Sequence, residues 1–132
     1  MKRLLVLVGA AALAVSGTGR AETAGPGCRP VTIVLQGSVD ASPGVDFSLP
    51  YGLTVDVTSA NTPGRGYVKA PQPVTVVVGR ATAVSRQGVH TLAALNWGDS
   101  VTVTSRICAD KLVHGATPVL SASRVIAGPW HP

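Results

Sequence analysis

From Val31 the chain alternates. Val31, Ile33, Leu35 and Val39 fall on odd positions, with Thr32, Gln36, Ser38 and Asp40 mostly between them. A period of two sends successive side chains to opposite faces, which predicts a half-buried strand. Ala41-Ser42-Pro43-Gly44 has turn composition. The odd phase then returns at Val45, Phe47, Leu49, Tyr51, Leu53, Val55 and Val57. Asp46, Ser48, Pro50, Gly52, Thr54, Asp56 and Thr58 stand opposite. A hairpin at Pro50-Tyr51-Gly52 fits these residues. Unbroken alternation favours one long strand bent at Pro50 and Gly52, the bend by which a small sheet curls around an axis.

Ser59 to Gln72 holds Asn61, Pro63, Gly64, Gly66 and Pro71 and reads as a loop or ragged hairpin tip. Val74 to Val78 is apolar at nearly every position, as in a central strand. A mostly polar connection, Gly79 to Val89, leads to Thr91. There Thr91 is a candidate N-cap for a short helical turn carrying Leu92 and Leu95 on one side. Gly98 and Asp99 form a corner, with Asp99 read as a turn former and Trp97 as a plug for the barrel end. Val101, Val103, Ser105 and Ile107 then alternate with Thr102, Thr104, Arg106 and Cys108 in a fourth strand. After an irregular Asp110–Pro118 connection, Val119 to Ala127 gives the last strand. Its faces are mixed, because Leu120, Ala122 and Ile126 oppose Val119 and Val125, and this predicts a bulge. Trp130 is assigned to covering a sheet edge. Five strands with a helical turn between strands 3 and 4 predict an all-β, OB-like barrel over residues 31–127.

Charge and cysteine usage narrow the class further. Met1, Lys2 and Arg3 precede an apolar run, Leu4 to Val15, too short to span a bilayer. With Gly19-Arg20-Ala21 after it, residues 1–21 read as a secretory signal peptide cut near Ala21. That makes the protein secreted or extracytoplasmic, with no stable membrane span in the mature chain. Three of the eleven cations leave with the leader; eight then face six acids, and the net charge falls from +5 to +2. So small an excess does not point to nucleic acid. Cys28, in the segment 22–30, and Cys108 are an even pair in an oxidising compartment and are expected to bridge. A free thiol and a lipidated Cys28 are the rival readings. The tail, 128–132, has no strand pattern.

A resemblance adds to this. The runs VTVVVGRATAVSRQG, TLAALNWGDSVTVTSR and LSASRVIA resemble a family of exported bacterial domains of unknown function. In that family a strand ends near a Thr, then Leu-x-x-Gly-Asp-x-Val-x-Val follows and an Ala-x-x-Val strand closes. Thr82, Leu92, Leu95, Gly98, Asp99, Val101, Val103, Ala122 and Val125 occupy the matching places, within Val31 to Ala127. The resemblance implies an OB-like barrel and no defined activity. Cys28 and the Trp-His tail depart from the pattern.

Candidate chemistry is sparse. His90, His114 and His131 are widely spaced and show no metal-ligand pattern. Asp110 with His114, or His131 alone, is the weak metal alternative, and no cofactor is expected. There is no Gly-x-Ser-x-Gly elbow. Glu22 is the only Glu, and Asp46 and Asp56 suit a solvated face better than a glycosidase pair. A small hydrolase or metal protein is therefore the least favoured reading, and the chain is expected not to be an enzyme. Binding is favoured. The main reading is a non-catalytic module for a protein or cell-envelope component. Its alternative is an oligosaccharide or nucleic-acid module using Tyr51, Arg65, Tyr67 and Lys69, where aromatic faces and cations stack on rings. Against that alternative, Tyr51 lies on the apolar phase and can equally be core. Oligomeric state is left open.

Overall fold

β1 (Pro30–Val39) and β5 (Ser100–Cys108) run antiparallel in continuous register, from Pro30 opposite Cys108 to Ser38 opposite Ser100. The computed structural model describes residues 28–130. The expected leader, residues 22–27 and His131 lie outside that range. On the far side of β1 lies β2 (Tyr51–Ala60), followed by β3 (Val74–Val78); β6 (Leu120–Gly128) flanks β5. β3 and β6 then meet in parallel through Val76 with Leu120 and Val77 with Ser121. That short seam closes the ring β1-β2-β3-β6-β5, a five-stranded barrel with OB-like strand order.

The seam is only two residue pairs long, so β6 needs another partner above it. β4 (Ala83–Arg86) supplies one, running parallel to Arg124–Ala127. Thr82 marks the exchange. Its hydroxyl accepts from the Gly79 amide at 3.0 Å and donates to the Ala122 carbonyl at 2.7 Å. After β4, Arg86 and Val89 exchange both backbone hydrogen bonds across Gln87-Gly88. Both turn residues have positive φ, 50° and 86°, as a tight two-residue hairpin requires. β4 was not expected from the sequence: four residues with one large apolar side chain, Val84, carry too little periodicity to register.

Two bulges set the curvature. Between Gln36 and Gly37 the β1–β2 register shifts, leaving Thr58 as the extra residue. Gly37 faces the Asp56 carbonyl so closely that a Cβ there would lie 1.9 Å from its oxygen. The second shift leaves Ser123 unpaired between Arg124 opposite Thr104 and Ala122 opposite Ser105. This is the bulge that the mixed faces of the last strand predict. It lets Leu120 and Ala122, then Val125 and Ala127, all point inward. The buried Ser105 hydroxyl donates to the Ser121 carbonyl at 2.7 Å, satisfying a backbone group near the bulge.

Inside the ring are Ile33, Leu35, Val39, Leu53, Val55, Val57, Val74, Val76, Val78, Val101 and Val103 with the β6 residues. Leu92 and Leu95, on the short 3-10 turn Leu92–Ala94 capped by Thr91, join the core between β3 and β5 as expected. Tyr67 joins it between β2 and β3. It sits on α1 (Gly66–Lys69), directly after a 3-10 turn at Thr62–Gly64, in the stretch expected to be loop. Polar side chains make those turns stable. Asn61 accepts from Val34 N and Gly64 N and donates to Thr32 O, and Gln72 accepts from Val57 N and donates to Tyr67 O and Ala70 O.

The long bent strand is corrected: β2 begins at Tyr51, and Ala41–Pro50 is a loop. Pro50 has no amide for the ladder, and of the odd residues before it only Phe47 packs on the core, edge-on to Tyr51 at 5.8 Å. Val45 and Leu49 are exposed. Cys28 and Cys108 are bridged, with Cα atoms 4.9 Å apart at the open end of the β1–β5 pair. Cys108 stands at the outer end of its strand, within reach of a segment running alongside.

Candidate functional site

At one end of the barrel β1, β3 and β6 finish while β2 and β5 begin. Val45, Leu49, Val89, Trp97 and Trp130, all exposed, sit in the loops there. The two tryptophans, the only two in the chain, are 74% and 63% exposed and line one open cleft of about 460 Å³. Ser38, Gly98, Asp99 and Pro129 complete its lining. The plug assigned to Trp97 is therefore corrected: Leu92 and Leu95 fill the barrel beside that turn, and the indole faces water.

The backbone beneath Trp97 is firmly held. Trp97 N donates to the Ser42 hydroxyl at 2.7 Å, Gly98 N to Val39 O at 2.8 Å, and Val39 N to Asp99 O at 2.9 Å. Asp99 N donates to Asn96 O at 3.1 Å, closing a turn in which Gly98 takes φ 84°. The Asp99 side chain is 5% exposed and does more than shape that turn. It accepts from Arg86 Nε at 2.6 Å, from Arg86 Nη2 at 3.0 Å and from Asn96 N at 2.8 Å. This two-point pair ties the β4 hairpin to the start of β5. No helical or strand periodicity links Arg86 to Asp99; the pairing follows from β4 lying beside β6, which the sequence pattern does not reveal.

Arg86 holds the Asp99 carboxyl below the usual carboxylate range by its hydrogen bonds; desolvation opposes this, and the Asn96 amide adds to it. A lowered folded pKa stabilises the fold above the unfolded value, 3.8 here, and that stability is lost as pH falls through the folded value. Asp56 has the opposite sign. Desolvation, with Asp40 beside it, raises its pKa, so the cost of its charge is relieved as pH falls. Stability is thus expected to rise as pH falls through the raised Asp56 value toward 3.8, and to drop as pH falls on below 3.8 through the lowered Asp99 value. Asp99→Ala leaves the Asn96 amide and the half-buried Arg86 guanidinium without their acceptor. It should cost about 2 kcal/mol at pH 7, and the acid limb should flatten in denaturant melts run across pH.

The sequence-nominated ligand residues do not assemble. Tyr51 begins β2, whereas Arg65, Tyr67 and Lys69 follow its other end, roughly 30 Å away along a ten-residue strand. Tyr51 is half-buried against Phe47. Tyr67 is 2% exposed, its hydroxyl donates to the Pro118 carbonyl, and burial pushes its pKa up to about 12. It belongs to the core, so the expected aromatic platform there is missing. Arg65 and Lys69 are exposed beside a cleft of about 330 Å³ that Leu112, Gly115 and Ala116 also line. Asp110 and His114 are exposed on the turn Ala109–Gly115, and no third ligand-type side chain joins them among the described residues. No described helix is long and apolar enough to cross a membrane.

Comparison with known proteins gives no match to a family model, a curated protein or a solved structure. The fold and the cleft therefore carry the functional argument alone.

Proposed function

We propose that this chain is an exported, non-catalytic binding module that engages a component of the cell envelope through the barrel end bearing Trp97 and Trp130. One observation carries the reading: the fold fixes the backbone at Trp97 with several hydrogen bonds and a half-buried ion pair beneath it, yet leaves the indole 74% exposed. Large aromatic side chains presented to solvent from a fixed backbone are typical of recognition surfaces, because they bring much contact area for only two rotatable bonds. The Cys28–Cys108 bridge supports an oxidising location. The leader read at residues 1–21 supports it too.

Cosedimentation of the oxidised protein with an isolated envelope fraction tests this. Wild type should pellet with the fraction, and Trp97→Ala with Trp130→Ala should stay in the supernatant. Arg65→Ala with Lys69→Ala, at the opposite end, should pellet as wild type does. If the second pair of substitutions abolishes pelleting and the first does not, the binding surface lies at the cationic end and the proposal fails.

A further inference from the structure

We infer that the ligand of the Trp97–Trp130 cleft is a neutral saccharide. This rests on the proposal that the cleft is a binding surface, and it adds the chemistry of what binds. The cleft's floor carries no net charge, because the Asp99 carboxylate is matched by the Arg86 guanidinium and the Asn96 amide. A floor of that kind gives an ionic ligand nothing to pair with, and a quaternary ammonium finds its carboxylate already neutralised. Asp40 and Asp46 follow β1 at this end and Arg80 follows β3, so the rim offers a phosphate-rich surface no cationic cluster.

An extended peptide is disfavoured for a different reason. Such peptides bind by adding a strand to a free sheet edge. Beside this cleft Ser100 pairs with both Ser38 and Gly128, and Ala127 pairs with Arg86 as well as Val101. Those edges are taken, and the free edge of β4 contributes no residue to the cleft lining. What is left is two indole side chains and, in Ser38, a hydroxyl, lining about 460 Å³ of open space. A sugar ring has the matching shape, with an apolar face of C–H groups and a polar periphery of hydroxyls. The cleft has room for a ring or two and lies open to solvent.

The deciding experiment uses the oxidised protein and the same envelope fraction after three treatments, one with periodate, quenched before mixing, one with a mixture of glycosidases and one with proteinase. Periodate cleaves vicinal diols in sugars; proteinase removes protein partners. Pelleting should survive proteinase and fall about ten-fold or more after periodate or the glycosidases. Trp97→Ala and Trp130→Ala, each shown to be folded by its melt, should each weaken binding about ten-fold, with Trp97→Phe retaining most of it. Pelleting that proteinase abolishes, or that resists both periodate and the mixture of glycosidases, overturns the saccharide inference while leaving a Trp-dependent binding surface intact. Failure of wild type to pellet with the untreated fraction overturns both.

Discussion

Reducing the Cys28–Cys108 bridge, or replacing both residues by Ser, is expected to lower stability by about 4 kcal/mol. The bridge joins residues 80 positions apart, so in the chain-entropy account it removes much of the freedom of the unfolded chain. Its folded-state contribution is small by comparison. Pro30 already faces Cys108 in the β1–β5 ladder, and the strands remain in register without the sulfurs. For a domain whose whole stability is of the order of 5–15 kcal/mol, that loss is large. Guanidinium unfolding of the oxidised protein and the double variant should give a lower midpoint for the variant. A difference under about 1 kcal/mol would show that the bridge does not restrain the unfolded chain.

The second large effect is expected at Gly37, where β1 shifts its pairing with β2. A Cβ added there would sit 1.9 Å from the Asp56 carbonyl oxygen and 3.0 Å from the Val57 Cα. Both are backbone atoms of the neighbouring strand, so no side-chain rotation relieves the clash. Either the bulge opens or the strands part, and both disturb Leu35, Val39, Val55 and Val57 in the core. Gly37→Ala should therefore cost about 3 kcal/mol, at the upper end of overpacking effects. Gly79→Ala is the control. It has nothing within 4 Å of the added methyl and should melt close to wild type. Equal melts for the two variants would mean that β1 and β2 do not approach as closely as the bulge requires.

The barrel was legible because its strands alternate. Leu53, Val55 and Val57 point inward just as their odd phase predicts, and the mixed faces of Leu120 to Ile126 disclose the bulge at Ser123. The same rule misled where alternation continued without a ladder. Val45 and Leu49 keep the phase but lie in a loop, because periodicity records side-chain polarity and not whether a backbone amide has a partner. β4 escaped notice for lack of length. The site was less legible still. Trp97 and Tyr67 changed places with respect to expectation, the tryptophan outside and the tyrosine inside, since an aromatic residue in a polar loop carries no local mark of which way it faces. Asp99 beside Gly98 looked like turn chemistry, and it is in a turn; its pairing with Arg86, 13 residues earlier, depends on a parallel strand contact. What the sequence pattern could have offered was the rarity of tryptophan itself, with both copies flanking strand ends at the same side of the sheet.

The two tryptophans allow one direct test of the account, because they are the chain's only indoles. Acrylamide quenching of the oxidised protein should find both nearly as accessible as in the guanidinium-unfolded chain, and shielded once the proteinase-treated envelope fraction is added. Indoles already shielded in the free protein, or still fully quenched in the presence of that fraction, would contradict it.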